Sequence, residues 1–181
     1  DSIAVRWSRE VTDEFHARFS ARSRSYRYLL HNHAVRPALL HGRVGWFHLP
    51  LDIGAMHAGA VLLQGERDFS AFRAAECQAR SPVKTLHRAE VSRHGDCIVF
   101  DFRASAFLHH MVRNMVGALV YVGKGAHPPE WIGDLVASRD RSLAAPTFSP
   151  HGLYLSGVEY DARWQLPMNG RIIAPFDPLA F

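Results

Sequence analysis

The clearest periodic segment runs from Phe107 to Gly117, Phe-Leu-His-His-Met-Val-Arg-Asn-Met-Val-Gly. Apolar residues recur in pairs, Phe107/Leu108, Met111/Val112, Met115/Val116 and Leu119/Val120, the repeat a 3.6-residue helix needs to keep one broad face in a core. Gly123 and Gly125 predict a helix end near Tyr121 or Val122. The remaining face carries His109, His110, Arg113, Asn114 and Gly117. Neighbours at i and i+4 stack, so His109, Arg113 and Gly117 are expected on one line, with Gly117 leaving room for something to approach the backbone. Burying one unpaired ion costs several kcal/mol, so Arg113 at depth implies a carboxylate or a phosphate beside it. The alternative is that its stem covers apolar surface while its head stays in water.

Shorter patterns fill in the rest. Ile3, Val5 and Trp7 alternate with polar residues as in a half-buried strand, and Ser25 to Leu30 reads as another. Asp52 is a candidate N-cap for a helix carrying Ile53, Met56, Ala60 and Leu63 on one face, with Gly65 at its exit. Two strands, Val83 to Arg93 and Cys97 to Ser105, flank His94-Gly95-Asp96 as a hairpin that leads into the arginine-bearing helix. Pro128-Pro129-Glu130 opens a further helix through Val136. After a loop over residues 144 to 151, Gly152 to Tyr160 reads as a last strand. Residues 162 to 181 are proline-rich and aperiodic, an irregular tail to a domain over 1 to 161. Strands and helices mix without regular βαβ alternation, which predicts an α+β fold: a mixed, largely antiparallel sheet with helices packed on one face.

Composition narrows the class. Hydrophobic content of 48% in 181 residues is that of an ordinary globular chain, and the longest apolar helix pattern is too short and too interrupted to span a bilayer. Residues 1 to 9 lack the apolar run of a secretory signal, so a cytoplasmic location is expected. Cys77 and Cys97 have no CxxC spacing and are expected as reduced thiols. The net charge is only +4, but no acidic residue occurs between Phe15 and Leu51, where six arginines lie, nor between Phe102 and Pro129. One-sign segments interleaved with Tyr26, Tyr28, Trp46 and Phe47 fit a surface that neutralises phosphates and stacks on bases. Arginine outnumbers lysine 19 to 2, however, and that excess can equally reflect genome composition.

Most familiar catalytic signatures are missing. Twelve histidines are scattered, and the adjacent His109 and His110 would point about 100° apart on a helix, so no metal site is expected. There is no HExxH, GxSxG or P-loop pattern. Asp68 and Asp101 could act as bases, but a turn position and an alternating strand suit capping, pairing or solvation better. Tyr26 and Tyr28 share a strand face, either both in a core or with one ring free to stack on a base.

In order and spacing, Phe15 to Ala21, Tyr26-Arg27-Tyr28, Gly65 to Phe69, Phe107 to Gly117 and Gly152 to Leu155 resemble the tRNA pseudouridine synthase A family. The resemblance reaches from Ser2 to about Pro167. It implies an isomerase that converts uridine to pseudouridine in the anticodon arm of tRNA, just 3′ of the anticodon. It also implies a homodimer that uses neither metal nor organic cofactor. By the same resemblance Tyr26 would stack on the target uracil and Leu153 would line its pocket. Arg113 would pair with the nucleophilic aspartate, and Arg18, Arg22, Arg24 and Arg27 would contact RNA phosphates. Family members carry that aspartate in a Gly-Arg-Thr-Asp-Ala-Gly motif, which this sequence lacks. The chain is therefore expected to correspond to a C-terminal part of a longer enzyme, with a non-catalytic RNA-binding module as the alternative. Alone, it should form no pseudouridine on anticodon-arm RNA, and detection of the modified base after incubation with the pure chain would refute this.

Overall fold

The computed structural model describes residues 3, 5 and 7–167. In chain order the elements are β1 (Ala21–Asn32), β2 (Gly45–Phe47), α1 (Ile53–Val61), β3 (Gly65–Asp68), β4 (Val83–His94), β5 (Cys97–Ala104), α2 (Met111–Gly123), α3 (Trp131–Ser138) and β6 (Leu153–Tyr160). The sheet runs β2-β1-β5-β4-β3, and β6 pairs with β1 along Ala21 to Tyr28, beyond which β2 takes over. Among the described residues only the short β1–β2 pairing is parallel. This is the α+β, largely antiparallel arrangement that the patterns predict.

Strand parity explains why the helices lie on one face. Tyr28 and Leu30 on β1, with Ile98, Phe100, Phe102 and Ala104 on β5, share one core with Met56 and Ala60 of α1, the apolar face of α2, and Ile132 and Leu135 of α3. Between Leu86 and Arg88 the β4 register slips against β5, a bulge that lets Leu86, Ala89 and Val91 all reach that core. The opposite face carries Ser23, Ser25 and Arg27 with Asp101 and Arg103. At one end Leu29, Val44 and Val99 make a small second cluster under Leu40 and Tyr154. Helix α2 is the centre of the main core, with eleven of its thirteen residues buried.

Local chemistry sets several boundaries. Asp52 caps α1 as expected, its carboxylate accepting from the Ala55 N–H at 2.9 Å. Gly152, at φ +96°, lets β6 begin against β1: a Cβ there would lie 2.3 Å from the Leu29 carbonyl oxygen. Three expectations change. Helix α2 starts at Met111, not at Phe107, because His110 adopts a left-handed conformation (φ 59°) that no helix propagates. Phe107 and Leu108 still pack inward, but from a loop. Ile3, Val5 and Trp7 are exposed and form no strand, since alternation alone supplies no pairing partner. Most of the tail, beyond Pro167, lies outside the described residues, and the part described includes a single 3-10 turn at Ala162–Trp164.

Tyr28 is fully buried and donates its hydroxyl to the Ser149 carbonyl at 3.0 Å. Burial pushes its pKa well above the ordinary tyrosine value near 10. Below pH ~10 both folded and unfolded chains keep the phenol protonated. Above it the unfolded chain ionises first, so stability falls as pH rises. Tyr28→Phe should cost about 1 kcal/mol at neutral pH and make the alkaline fall in melting temperature shallower. Parallel slopes for the two proteins between neutral and strongly alkaline pH would contradict this.

Candidate active-site cleft

A cleft of about 540 Å³ opens on the helix side of the sheet, lined by Arg18, Tyr26, Leu153, the Glu76–Ala79 loop and Phe107 to Arg113. Tyr26, Arg113 and Leu153, far apart in sequence, thus meet at one site. Two adjacent strands present the first and last of these, because Tyr26 of β1 is the register partner of Leu155 in β6 and Tyr28 that of Leu153. Helix α2 presents the arginine.

Tyr26 and Tyr28 share a strand face but not a role. Tyr28 is sealed in the core, whereas Tyr26 is half-buried, its ring meeting Phe107 edge to face at a centroid distance of 5.1 Å. Phe107 packs against the tyrosine ring, and both side chains line the cleft. That arrangement suits stacking on a planar base.

Arg113 is half-buried at the cleft wall. Its Nε donates to the Phe148 carbonyl at 2.8 Å, and the Phe148 N–H donates back to the Arg113 carbonyl at 3.3 Å. Among the described residues no carboxylate pairs with its guanidinium. Glu76, the acid that lines the cleft, lies instead 3.9 Å from His109 Nδ1. With Nε engaged, the two terminal nitrogens remain for a ligand, the fork that binds a carboxylate through two parallel hydrogen bonds.

The adjacent histidines do not splay as they would on a helix. Because His110 precedes the first helical residue, the rings stack at 4.0 Å with an interplanar angle of 29°. Desolvation, helped by His109 and Arg113 and opposed by Glu76, holds His110 below the ordinary histidine range. At neutral pH it is uncharged. Beside it the Cys77 sulfur accepts the His109 N–H at 3.3 Å. Burial pushes that thiol up, but the N–H groups of Ala79 and His109 and the Arg73 guanidinium outweigh it and hold Cys77 below the ordinary thiol range. Neither Cys77 nor Glu76 was signalled by the residue pattern, since both sit in a loop without periodicity. Among the described residues no three metal-binding side chains converge. No helix there is long and apolar enough to cross a membrane.

The four N-terminal arginines divide. Arg18 is exposed at the cleft mouth, 5.7 Å from the Phe19 ring. Arg22 is exposed and pairs with Asp161. Arg24 bridges the carbonyls of Ala21 (2.9 Å) and Ser105 (2.8 Å) and reaches that of Arg18. Arg27 is 3% exposed on the opposite sheet face and holds Asp101 through Nε at 3.0 Å and Nη2 at 3.3 Å. Asp101 is therefore a pairing residue. Asp68 is a capping one, accepting the N–H and hydroxyl of Ser70 at 2.9 and 2.6 Å; the Ser70 contacts, despite desolvation, and with Arg139 and Arg73 help, hold its carboxyl below the usual range.

Comparison with known proteins converges on one family. Residues 60–161 match the family described as tRNA pseudouridine synthase. The chain is 66% identical over 171 residues to the tRNA pseudouridine synthase A of Aromatoleum aromaticum, an alignment covering 94% of this chain and 65% of the relative. It is 61% identical over 167 residues to that of Dechloromonas aromatica, covering 92% and 64%. To the protein of the same name from Methylobacillus flagellatus it is 60% identical over 169 residues, covering 93% and 65%. The chain spans a little under two thirds of the length of these relatives.

The placement of the arginines separates an exposed guanidinium at the cleft mouth from those engaged within the fold. Arg18→Ala should weaken binding of an RNA hairpin and lower the magnitude of the salt slope by about 1, with the melting temperature unchanged. Asp101→Ala, which removes the carboxylate that the buried Arg27 holds, should cost about 3 kcal/mol of stability and leave the salt slope as it was. The reverse pattern, read by fluorescence anisotropy at several salt concentrations and by thermal melting, would count against this division.

Proposed function

Because the chain belongs to the tRNA pseudouridine synthase family, we propose that it is the uridine-holding part of an enzyme that isomerises uridine to pseudouridine in tRNA. The observation that carries this reading is the meeting of Tyr26, Leu153 and Arg113 in one cleft, with the arginine's terminal nitrogens facing no carboxylate among the described residues. An aromatic face beside an apolar wall suits a base taken out of its helix, and stacking offsets about 1 to 3 kcal/mol of the lost neighbours. The guanidinium suits a nucleophilic carboxylate, which it would keep ionised and aimed.

On this reading the carboxylate comes from a Gly-Arg-Thr-Asp segment outside the present sequence. It attacks the flipped nucleoside and the bond between N1 and the sugar C1′ breaks. The freed uracil turns between Tyr26 and Leu153, C5 bonds to C1′, and the bond between the carboxylate and the nucleoside breaks, which restores the free carboxylate. The C5 proton then leaves and N1 takes one up, so the product is an isomer of the substrate. The chain's own residues hold the base and the nucleophile, and need neither metal nor redox partner for these steps. We place the substrate uridine in the anticodon arm, just 3′ of the anticodon, and read the complete enzyme as a cytoplasmic homodimer, by likeness of the motifs. The acid-free run through β1 and the exposed Arg18 support an anionic partner.

The test uses the protein extended to the length of its relatives. Arg113→Lys should lower pseudouridine formation roughly 100-fold or more, measured by mass spectrometry of digested tRNA. Tyr26→Phe should retain stacking, whereas Tyr26→Ala should weaken tRNA engagement much further. Equal losses from the two tyrosine variants would remove the stacking role. A full-length protein that binds anticodon-arm RNA without forming pseudouridine would favour the binding-module reading.

A further inference from the structure

Asn114 follows Arg113 on α2, and its side chain is completely buried. A buried amide in an apolar helix has to be satisfied or it destabilises the fold. Its Nδ2 donates to the Phe72 carbonyl at 2.8 Å. Its Oδ1 accepts the Thr147 hydroxyl at 2.7 Å and Arg141 Nη2 at 3.3 Å. Arg141 also donates to Thr147 Oγ1 at 3.2 Å and, through Nη1, to the carbonyls of Ala144 at 3.3 Å and Ala145 at 3.0 Å. Asn114, Arg141 and Thr147 therefore form a closed triangle that pins residues 144 to 147 onto the helix.

One turn further along, that same segment touches α2 again. A Cβ on Gly117 would lie 2.5 Å from the Pro146 carbonyl oxygen, so the strap passes against bare helix backbone. The next residue after the triangle is Phe148, whose carbonyl receives Arg113 Nε. The strap thus reaches Arg113 with its position already set by Gly117 and Asn114. An arginine side chain left alone samples many rotamers, and a guanidinium that wanders by an ångström no longer meets a carboxylate bidentately.

We propose that Asn114, Arg141 and Thr147 are positioning residues for Arg113. They hold the Phe148 carbonyl where it captures Nε, so that the guanidinium can offer only its two terminal nitrogens to the cleft. This rests on the reading of Arg113 as the partner of a nucleophilic carboxylate. The role is distinct from stability alone, because Thr147 is exposed and contributes one hydroxyl to the triangle. Thr147→Val preserves shape and removes that donor, Thr147→Ser preserves the donor, and Arg141→Lys keeps charge while losing the planar fork.

Two measurements test it. In the present chain, the Arg113 Nε–H resonance, assigned by its loss in Arg113→Lys, should exchange slowly with solvent. It should exchange faster in Thr147→Val and Arg141→Lys, and slowly again in Thr147→Ser. In the full-length enzyme the same two disruptive variants should lower kcat on tRNA roughly 10-fold, keep KM within about twofold, and recover kcat in Thr147→Ser. Slow exchange that persists in both disruptive variants overturns the proposal, as does faster exchange with an unchanged kcat. A merely structural role predicts the overturning pattern too: reduced melting temperature with unchanged kcat per folded molecule. If Arg113→Lys itself turns over at the wild-type rate, the reading of the cleft fails and the proposal with it, even where the exchange data show the strap holding Nε.

Discussion

The structure depends on burying helix α2 while two of its side chains are polar. Met111, Val112, Met115, Val116, Leu119 and Val120 draw the helix against the sheet, each contributing about 1.5 to 3 kcal/mol on full burial. That gain is available only if Arg113 and Asn114 find partners at the depth to which their neighbours carry them. The residue 141 to 148 strap supplies those partners from one side and the Phe72 carbonyl from another. Packing and polar satisfaction cannot be separated here, since the same helix turn that seals the core also aims the cation. The site is in this sense a by-product of how the core is closed.

How much of this was legible in the sequence follows from what each signal encodes. Periodicity marked α2, and the Asp52 cap marked α1, because both are local features of a few consecutive residues. The hairpin β4–β5 was read nearly to its ends for the same reason. What escaped were features that need a second, distant segment. The register slip between Leu86 and Arg88 is one, since only the β5 partner defines it. The short strands β2 and β3 are others, carried by pairing with β1 and β4 more than by their own composition. Asn114 was read onto the polar face of the helix, yet it is wholly buried, because the strap that covers that face cannot be seen from α2. Ile3, Val5 and Trp7 differ in the opposite direction: a strand pattern whose residues are exposed, with no pairing strand among the described residues.

Within the cleft, residues that periodicity could not rank turn out to set its electrostatics. Arg113, neutral His110 and the lowered Cys77 thiol stand along one wall, with Glu76 and Arg18 at the rim. Keeping His110 uncharged matters for the arginine. On the proposed reading, a second positive charge on that wall would compete with Arg113 for the nucleophilic carboxylate, whereas a neutral imidazole does not. The left-handed backbone at His110 serves the same end, turning both rings out of the helix direction and onto each other.

The 19-to-2 excess of arginine over lysine takes on a structural meaning that composition could not convey. Arg24, Arg73, Arg93, Arg113 and Arg141 each donate to backbone carbonyls of loops or strand ends. A point ammonium can also reach two carbonyls, as Lys84 Nζ reaches those of Ser81 and Val83, but it lacks the planar fork that holds two acceptors at fixed angles. Each of these guanidiniums keeps its charge while it organises a loop, so the field around the cleft is built from side chains already held in place. Exposed lysines would supply the same net charge, but their long stems would have to be ordered by any anionic partner, at about 0.5 to 1.5 kcal/mol for each immobilised side chain. Of these five, Arg24 and Arg113 lie in the acid-free stretches, so on the proposed reading part of the cationic surface there is ordered before a substrate binds.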